Sequence, residues 1–241
     1  MRRIGIGIAA AAGLLAAGSV LPGHAETPAD TLVIAKNIDD IITLDPAEVF
    51  ELSGGEMINQ VYDRIMAYEA EDTETLVGGV AESYSVSDDG RTITLTVRPG
   101  LTFHSGNPVR AEDVAFSLQR VIQLNLTPAF ILTQLGWSQD NVAEMVKAVD
   151  EQTVELTIGE DFAPTFVLNC LSAGIGSVVD KELVLANEKD GDLGHDWLKT
   201  HSAGSGAFEL KGWKASESVT MEANPDHRFG APAMRRVIVR H

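Results

Sequence analysis

The run Leu101-Thr-Phe-His-Ser-Gly-Asn-Pro-Val-Arg-Ala-Glu-Asp-Val-Ala-Phe-Ser-Leu-Gln-Arg120 decides how the rest of this 241-residue chain is read. It joins a strand end, a tight turn around Gly106-Asn107-Pro108 and an acidic helix start in one order. The helix is expected from about Ala111, because Glu112 and Asp113 sit where a helix N-terminus favours negative charge. Val114, Leu118, Val121 and Ile122 then recur as one apolar stripe. Just upstream, between Glu82 and Gly100, the period falls to two. Tyr84 and Val86 alternate with serines, Asp88-Asp89-Gly90 supplies the turn, and Ile93, Leu95 and Val97 alternate with threonines, which predicts a β-hairpin.

Further out, Thr31–Lys36 is a short apolar run suited to a buried strand. Ile41-Ile-Thr-Leu-Asp-Pro46 leads into an irregular stretch ending at Ser53-Gly54-Gly55, and Met57, Val61 and Ile65 then predict one face of a helix over 56–66. The acidic cluster from Glu69 to Thr75 reads as a solvated loop. Val154, Leu156 and Ile158 mark a strand, and Pro164–Leu171 a helix that buries most of its surface. A strand pair is expected at Phe208–Trp213 and Val219–Glu222, and Arg236–Arg240 as a last strand with no partner after it.

Composition narrows the function. Arg2 and Arg3 precede an apolar run from Ile4 to Leu21 and the small-residue site Gly23-His24-Ala25, which reads as a cleavable signal peptide over residues 1–25. No cysteine follows that run to accept a lipid, so a soluble exported chain is expected. Cys170 is the only cysteine; an internal disulfide is excluded, and its apolar neighbours suggest a buried small hydrophobe. A formal charge of −17, with no basic stripe, speaks against nucleic acid as a partner.

Catalytic and cofactor motifs find no support. Gly204-Ser205-Gly206 lacks the spacing of a hydrolase nucleophile elbow, and neither a phosphate-binding loop nor a dinucleotide fingerprint occurs, so no cofactor is expected. His195 and His201, near Asp192 and Asp196, are metal-ligand types at a spacing that fits no tight metal motif, and His104 is expected to make a structural hydrogen bond. Trp213 is read as core.

Two blocks carry a resemblance: Leu101–Arg120, and Gly204-Ser-Gly-Ala-Phe-Glu-Leu-Lys-Gly-Trp213 followed by Glu217-Ser-Val-Thr-Met-Glu-Ala-Asn-Pro-Asp226. Together they resemble the signatures of the family 5 extracellular solute-binding proteins, the receptors of ABC importers. The resemblance implies an α/β fold: a type II periplasmic-binding-protein-like lobe with a mixed β-sheet, formed by residues 26–55 and 171–241, and a small α/β subdomain inserted over 56–170. It implies a second lobe beyond His241, so that the chain reads as an N-terminal fragment. The implied function is non-enzymatic capture of di- or oligopeptides between two lobes in the periplasm, by a monomer that delivers them to membrane permease subunits. Nickel, haem, an opine or a sugar is the alternative cargo, and a secreted hydrolase the alternative class. The segment after Leu44-Asp45-Pro46 would form one cleft wall, making Phe50, Glu51, Leu52 and Ser53 the first ligand-contact candidates, with Gly174 and Ile175 near the interlobe edge. The chain departs from the family pattern twice. Arg110 stands where a Thr or Asn would cap the helix, and His227-Arg228 where an aromatic pair would pack.

Overall fold

A computed structural model describes residues 27–69, 71–159 and 162–241; the signal peptide expected over 1–25 lies outside them. The elements run β1 (Thr31–Ala35), α1 (Leu52–Val61), β2 (Met66–Glu69), β3 (Asp72–Gly78), β4 (Ala81–Val86), β5 (Thr92–Val97), α2 (Ala111–Leu124), α3 (Phe130–Thr133), α4 (Val142–Met145), β6 (Val146–Ala148), β7 (Thr153–Thr157), α5 (Pro164–Cys170), α6 (Lys181–Ala186), α7 (His195–Leu198), β8 (Phe208–Lys214), β9 (Ser218–Ala223) and β10 (Arg236–Arg240). A four-stranded mixed sheet has the order β1-β10-β9-β8, with β1 parallel to β10 and the other pairs antiparallel. A second, antiparallel sheet has the order β4-β5-β7-β6, and β2 and β3 form a separate hairpin. The fold is thus α/β with a mixed sheet and an antiparallel companion.

Each sheet buries its own core. Ile93, Leu95, Val97, Val154 and Leu156 of the second sheet pack against Val114, Leu118, Val121 and Ile122 of α2. Met57, Ile58 and Val61 of α1 pack with Val219, Met221, Val237 and Val239 of the first sheet. The boundary drawn at residue 56 therefore falls inside a helix whose buried face belongs to the first sheet.

Helix α2 serves both cores. Its apolar stripe faces one, while Phe116 leans on the other. Between them, Asp113, Ser117 and Arg120 follow the helical spacing of four and three residues and form a buried polar stripe. Each member holds a distant segment. Asp113 Oδ1 accepts from the Lys181 amide (3.1 Å), and Ser117 Oγ accepts from the Val179 amide (2.9 Å). Arg120 donates twice to Asp45, from Nη1 to Oδ1 at 2.8 Å and from Nη2 to Oδ2 at 2.6 Å, and its Nε donates to the Leu193 carbonyl at 2.7 Å. Asp45 also accepts from the Ala47 amide, so both charges are fully buried with their hydrogen-bonding capacity well used.

Several expectations need correction. β1 is not buried: it lies at the sheet edge, with Leu32, Val33 and Ile34 each about two-fifths exposed, because β10 covers only one side of it. β10 is the last strand in chain order among the described residues, and both its partners, β1 and β9, precede it. The predicted helix starts four residues early, at Leu52, since the Asp40 carboxylate accepts from the Ser53 amide and the glycine pair is absorbed into the first turn. The Glu69–Thr75 stretch, read as a solvated loop, instead contributes Asp72–Thr75 to the strand Asp72–Gly78, whose acidic half is exposed. α5 buries only Val167, Leu168 and Cys170; Thr165, Phe166 and Asn169 face outward. Arg110 does not leave α2 uncapped, because the Asp113 carboxylate accepts from the Arg110 amide at 2.9 Å.

Removing one partner of the Arg120–Asp45 pair strands the other charge in the interior. Arg120→Ala is expected to destabilise by about 3–5 kcal/mol. The double variant Asp45→Leu/Arg120→Met, which strands no charge, is expected to lose less than either single truncation in urea denaturation.

Candidate functional site

The two sequence blocks meet in space. The His104 amide donates to the Gly204 carbonyl (2.9 Å), and His104 Nε2 lies 2.9 Å from the Gly206 carbonyl, the structural hydrogen bond expected of it. Burial holds the His104 imidazole below its ordinary range, so the ring stays neutral and donates there. The turn after His104 is held by Asp180, whose buried carboxylate accepts from Ser105 Oγ (2.6 Å), Asn107 Nδ2 (3.0 Å) and the Leu183 amide (3.0 Å), capping α6. Gly204 and Gly206 are required by close approach. A Cβ at Gly204 would stand 2.1 Å from the Val61 carbonyl oxygen and one at Gly206 2.6 Å from the Gln60 carbonyl oxygen, both at the C-terminal end of α1.

That end of α1 also carries Asp63. Ser205 Oγ donates to it at 2.9 Å, Arg228 Nε lies at 3.4 Å and His227 Nε2 at 3.7 Å. Burial pushes the Asp63 carboxyl up, but the neighbouring His227 imidazole, the Arg228 guanidinium and the Ser205 hydrogen bond together hold it below 3.8. The His227-Arg228 departure thus replaces aromatic packing with charge pairing, and Arg228 additionally covers the Phe229 ring at 4.1 Å.

The ligand candidates divide. Phe50 and Leu52, 58% and 78% exposed, project from the start of α1. Glu51 occupies the position that caps α1 and folds its carboxylate back to accept from the Phe50 amide. Phe130, at the start of α3, meets Phe50 edge-on with ring centres 5.8 Å apart, and this second exposed aromatic was not singled out in the sequence. Its signal was only a lone Phe after Thr127-Pro128-Ala129. Ser53 is buried, with its Oγ donating to the Asn37 carbonyl and its amide to Asp40. Gly174 and Ile175 are not part of this surface. Ile175 is buried in the other core, and a Cβ at Gly174 would meet Ile58 Cδ1 at 3.1 Å, deep along α1. Phe50 and Phe130 form an exposed aromatic pair beside the N-terminus of α1, where Leu52 is also exposed.

The histidine cluster divides too. His195 Nε2 lies 2.8 Å from Glu48 Oε2, whereas His201 stacks on Trp197. Among the described residues no group of three or more His, Cys, Asp or Glu side chains is arranged to hold a metal ion. Trp213 is half-buried against the first core, with its indole N–H unpartnered.

Comparison with solved structures places the fold among periplasmic binding proteins. The PBP/SBP MoaA from A. tumefaciens in complex with mannopinic acid matches with a TM-score of 0.74 and 22% identity over 87% of this chain. A dipeptide-binding protein from Pseudoalteromonas in complex with Met-Leu also matches at 0.74, with 20% identity over 87% of this chain. The family model for bacterial extracellular solute-binding proteins, family 5 (middle), matches residues 75–241, and the chain belongs to that family. Among curated relatives, the probable D,D-dipeptide-binding periplasmic protein of Escherichia coli (strain K12) is 30% identical over 90% of this chain, and the di/tripeptide-binding protein 2 of Pseudomonas aeruginosa 29% identical over 74%. This chain spans 40% and 35% of the lengths of those two relatives.

The Asp63 cluster gives a pH prediction. Because folding lowers this carboxyl below 3.8, its contribution is complete above that value and is lost as the pH falls through the folded pKa. Asp63→Asn is expected to lower the melting temperature at neutral pH and to flatten its fall between about pH 5 and pH 2. Thermal melts across that range, comparing the two proteins, read it; Asp113, raised by burial, acts in the opposite sense in both.

Proposed function

We propose that this chain belongs to the substrate-binding component of an ABC importer, a periplasmic receptor rather than an enzyme. It captures di- or oligopeptides between two lobes and delivers them to membrane permease subunits. The observation that carries this reading is membership of the family 5 solute-binding proteins, joined to 30% identity with a periplasmic protein named for dipeptide binding. The fold alone does not choose the cargo, since structures holding mannopinic acid and Met-Leu match it equally well.

In this reading residues 26–55 and 171–241 belong to the first lobe and 56–170 to the subdomain, although 56–62 pack with the lobe's sheet. Phe50, Glu51 and Leu52 meet the ligand, with Phe130 beside them. Ser53, Gly174 and Ile175 act behind that surface by fixing α1. A peptide lying along it would offer main-chain groups for pairing and side chains to the apolar surface, which tolerates many sequences.

A single wall binds weakly, because each bound peptide loses its freedom against half of the contacts a closed cleft supplies. Calorimetric titration of this chain with di- and tripeptides is expected to show dissociation constants no tighter than about 100 µM; low-micromolar binding would overturn the two-lobe reading. At millimolar dipeptide, amide chemical-shift changes are expected at Phe50–Leu52 and to vanish in Phe50→Ala, whose melting temperature stays within about 2 °C of the parent.

A further inference from the structure

Arg98 and Arg228 come from distant parts of the chain and line one small cavity. Arg98 follows the last residue of β5, and its amide donates to the Val80 carbonyl at 2.9 Å. Arg228 lies in the turn between β9 and β10, where the Gly230 amide donates to the His227 carbonyl at 2.7 Å. Val77 and Gly78 at the end of β3, with Glu69 and Phe229, complete the lining of a cavity of about 220 Å³.

The protein itself makes little use of these two guanidiniums. Arg120, by contrast, donates three hydrogen bonds of 2.6 to 2.8 Å. Arg98 makes no side-chain hydrogen bond among the described residues, and its ion-pair partner Glu82 stands 3.8 Å away and is itself half exposed. Arg228 makes a single long one, to the Gly78 carbonyl at 3.5 Å, and meets Asp63 at 3.4 Å without forming a hydrogen bond. The Nε–H groups of both lie out of water and donate to nothing in the protein. Buried donors left in this condition call for an acceptor from outside the chain. One can enter, because 33% of the Arg98 side chain and 13% of that of Arg228 remain open to solvent.

We propose that Arg98 and Arg228 form a binding site for a small oxyanion, whether tetrahedral, as in sulfate or phosphate, or planar, as in a carboxylate. The guanidinium fork suits both, since its N–H groups pair with two oxygens at once. The Phe229 ring, 4.1 Å from the Arg228 guanidinium, covers that group's face and leaves its N–H-bearing edge free to donate. Glu69 is the one carboxylate in the lining and opposes an anion there. Asp63 also offsets part of the Arg228 charge, and the chain's net −17 repels anions generally, so the site is weak, with a dissociation constant of about 1–10 mM.

Amide chemical shifts of the full chain are to be followed during titration with sulfate, phosphate and acetate, with chloride holding the ionic strength constant so that screening does not change. Saturable shifts are expected at Gly78, Arg98 and Phe229 for at least one of the three ions. Sulfate or phosphate without acetate identifies a tetrahedral ligand, and acetate alone a carboxylate. Arg98→Gln is expected to weaken binding about tenfold or more. Arg235→Gln makes the same change of charge at the exposed Asp30 pair and is expected to alter binding less than about twofold. Glu69→Gln is expected to tighten it by about threefold, because the opposing carboxylate is gone. No localised shift with any of the ions up to roughly 100 mM overturns the proposal, as do shifts that persist undiminished in Arg98→Gln. Should Arg98→Gln fail to fold, Glu69→Gln decides: affinity that stays the same or falls places the anion elsewhere and overturns it.

Discussion

The two sheets of this protein share one helix, and that sharing depends on a buried charge pair. Arg120 and Asp45 each lie out of water, where an unpaired charge would cost several kcal/mol. They are tolerable only because the guanidinium meets the carboxylate in two parallel hydrogen bonds and donates its Nε–H to the Leu193 carbonyl. The consequence is geometric. Apolar packing between α2 and the first core would permit sliding, whereas the two-pronged contact fixes both the height of α2 and the position of the turn that begins at Asp45. The turn from Asp45 to Val49 leads directly into α1, so the exposed Phe50 and Leu52 inherit their placement from an arginine on another element.

Ser117 and Asp113 extend the same logic along α2. Each accepts a main-chain amide from the segment 179–181, while Asp180 between them reaches back to Ser105 and Asn107. The segment Leu101–Arg120 is therefore a seam. Its turn binds the second sequence block through His104, and its helix binds both the opening segment and the link to α6. That explains why one stretch can mark a whole fold: Ser105, Asn107, Asp113, Ser117 and Arg120 join distant parts of the chain.

What the sequence made legible was what local periodicity encodes. The β4–β5 hairpin, α2 and the β8–β9 pair came from alternation or helical stripes, and these elements stand where they were expected. The helix α1 was placed late because Gly54 and Gly55 read as loop, and only the distant Asp40 carboxylate explains why the first turn tolerates them. The strand β1 was read as buried because apolar runs usually are; its exposure is decided by sheet order, which its own residues do not carry. Arg120 drew no reading of its own from the sequence, because its meaning required Asp45, 75 positions away. Of the site, Phe50 and Leu52 emerged exposed, whereas Ser53 and Ile175 went inward and Phe130 was missed, because nothing local to residue 130 says which aromatic will stand beside it.

The parallel pairing of β1 with β10 also sets an order of events during synthesis. The ladder joins Thr31 to Arg236, near the two ends of the described chain, and β10 lies between β1 and β9. Until residues 236–240 are made, β1 therefore has no native strand on the side that β10 will fill. Leu32, Val33 and Ile34 wait for that partner while the intervening residues 36–235 are made. A nascent chain of this design is most vulnerable to misassociation at its beginning, and a holding chaperone would be most useful on its first forty or so residues.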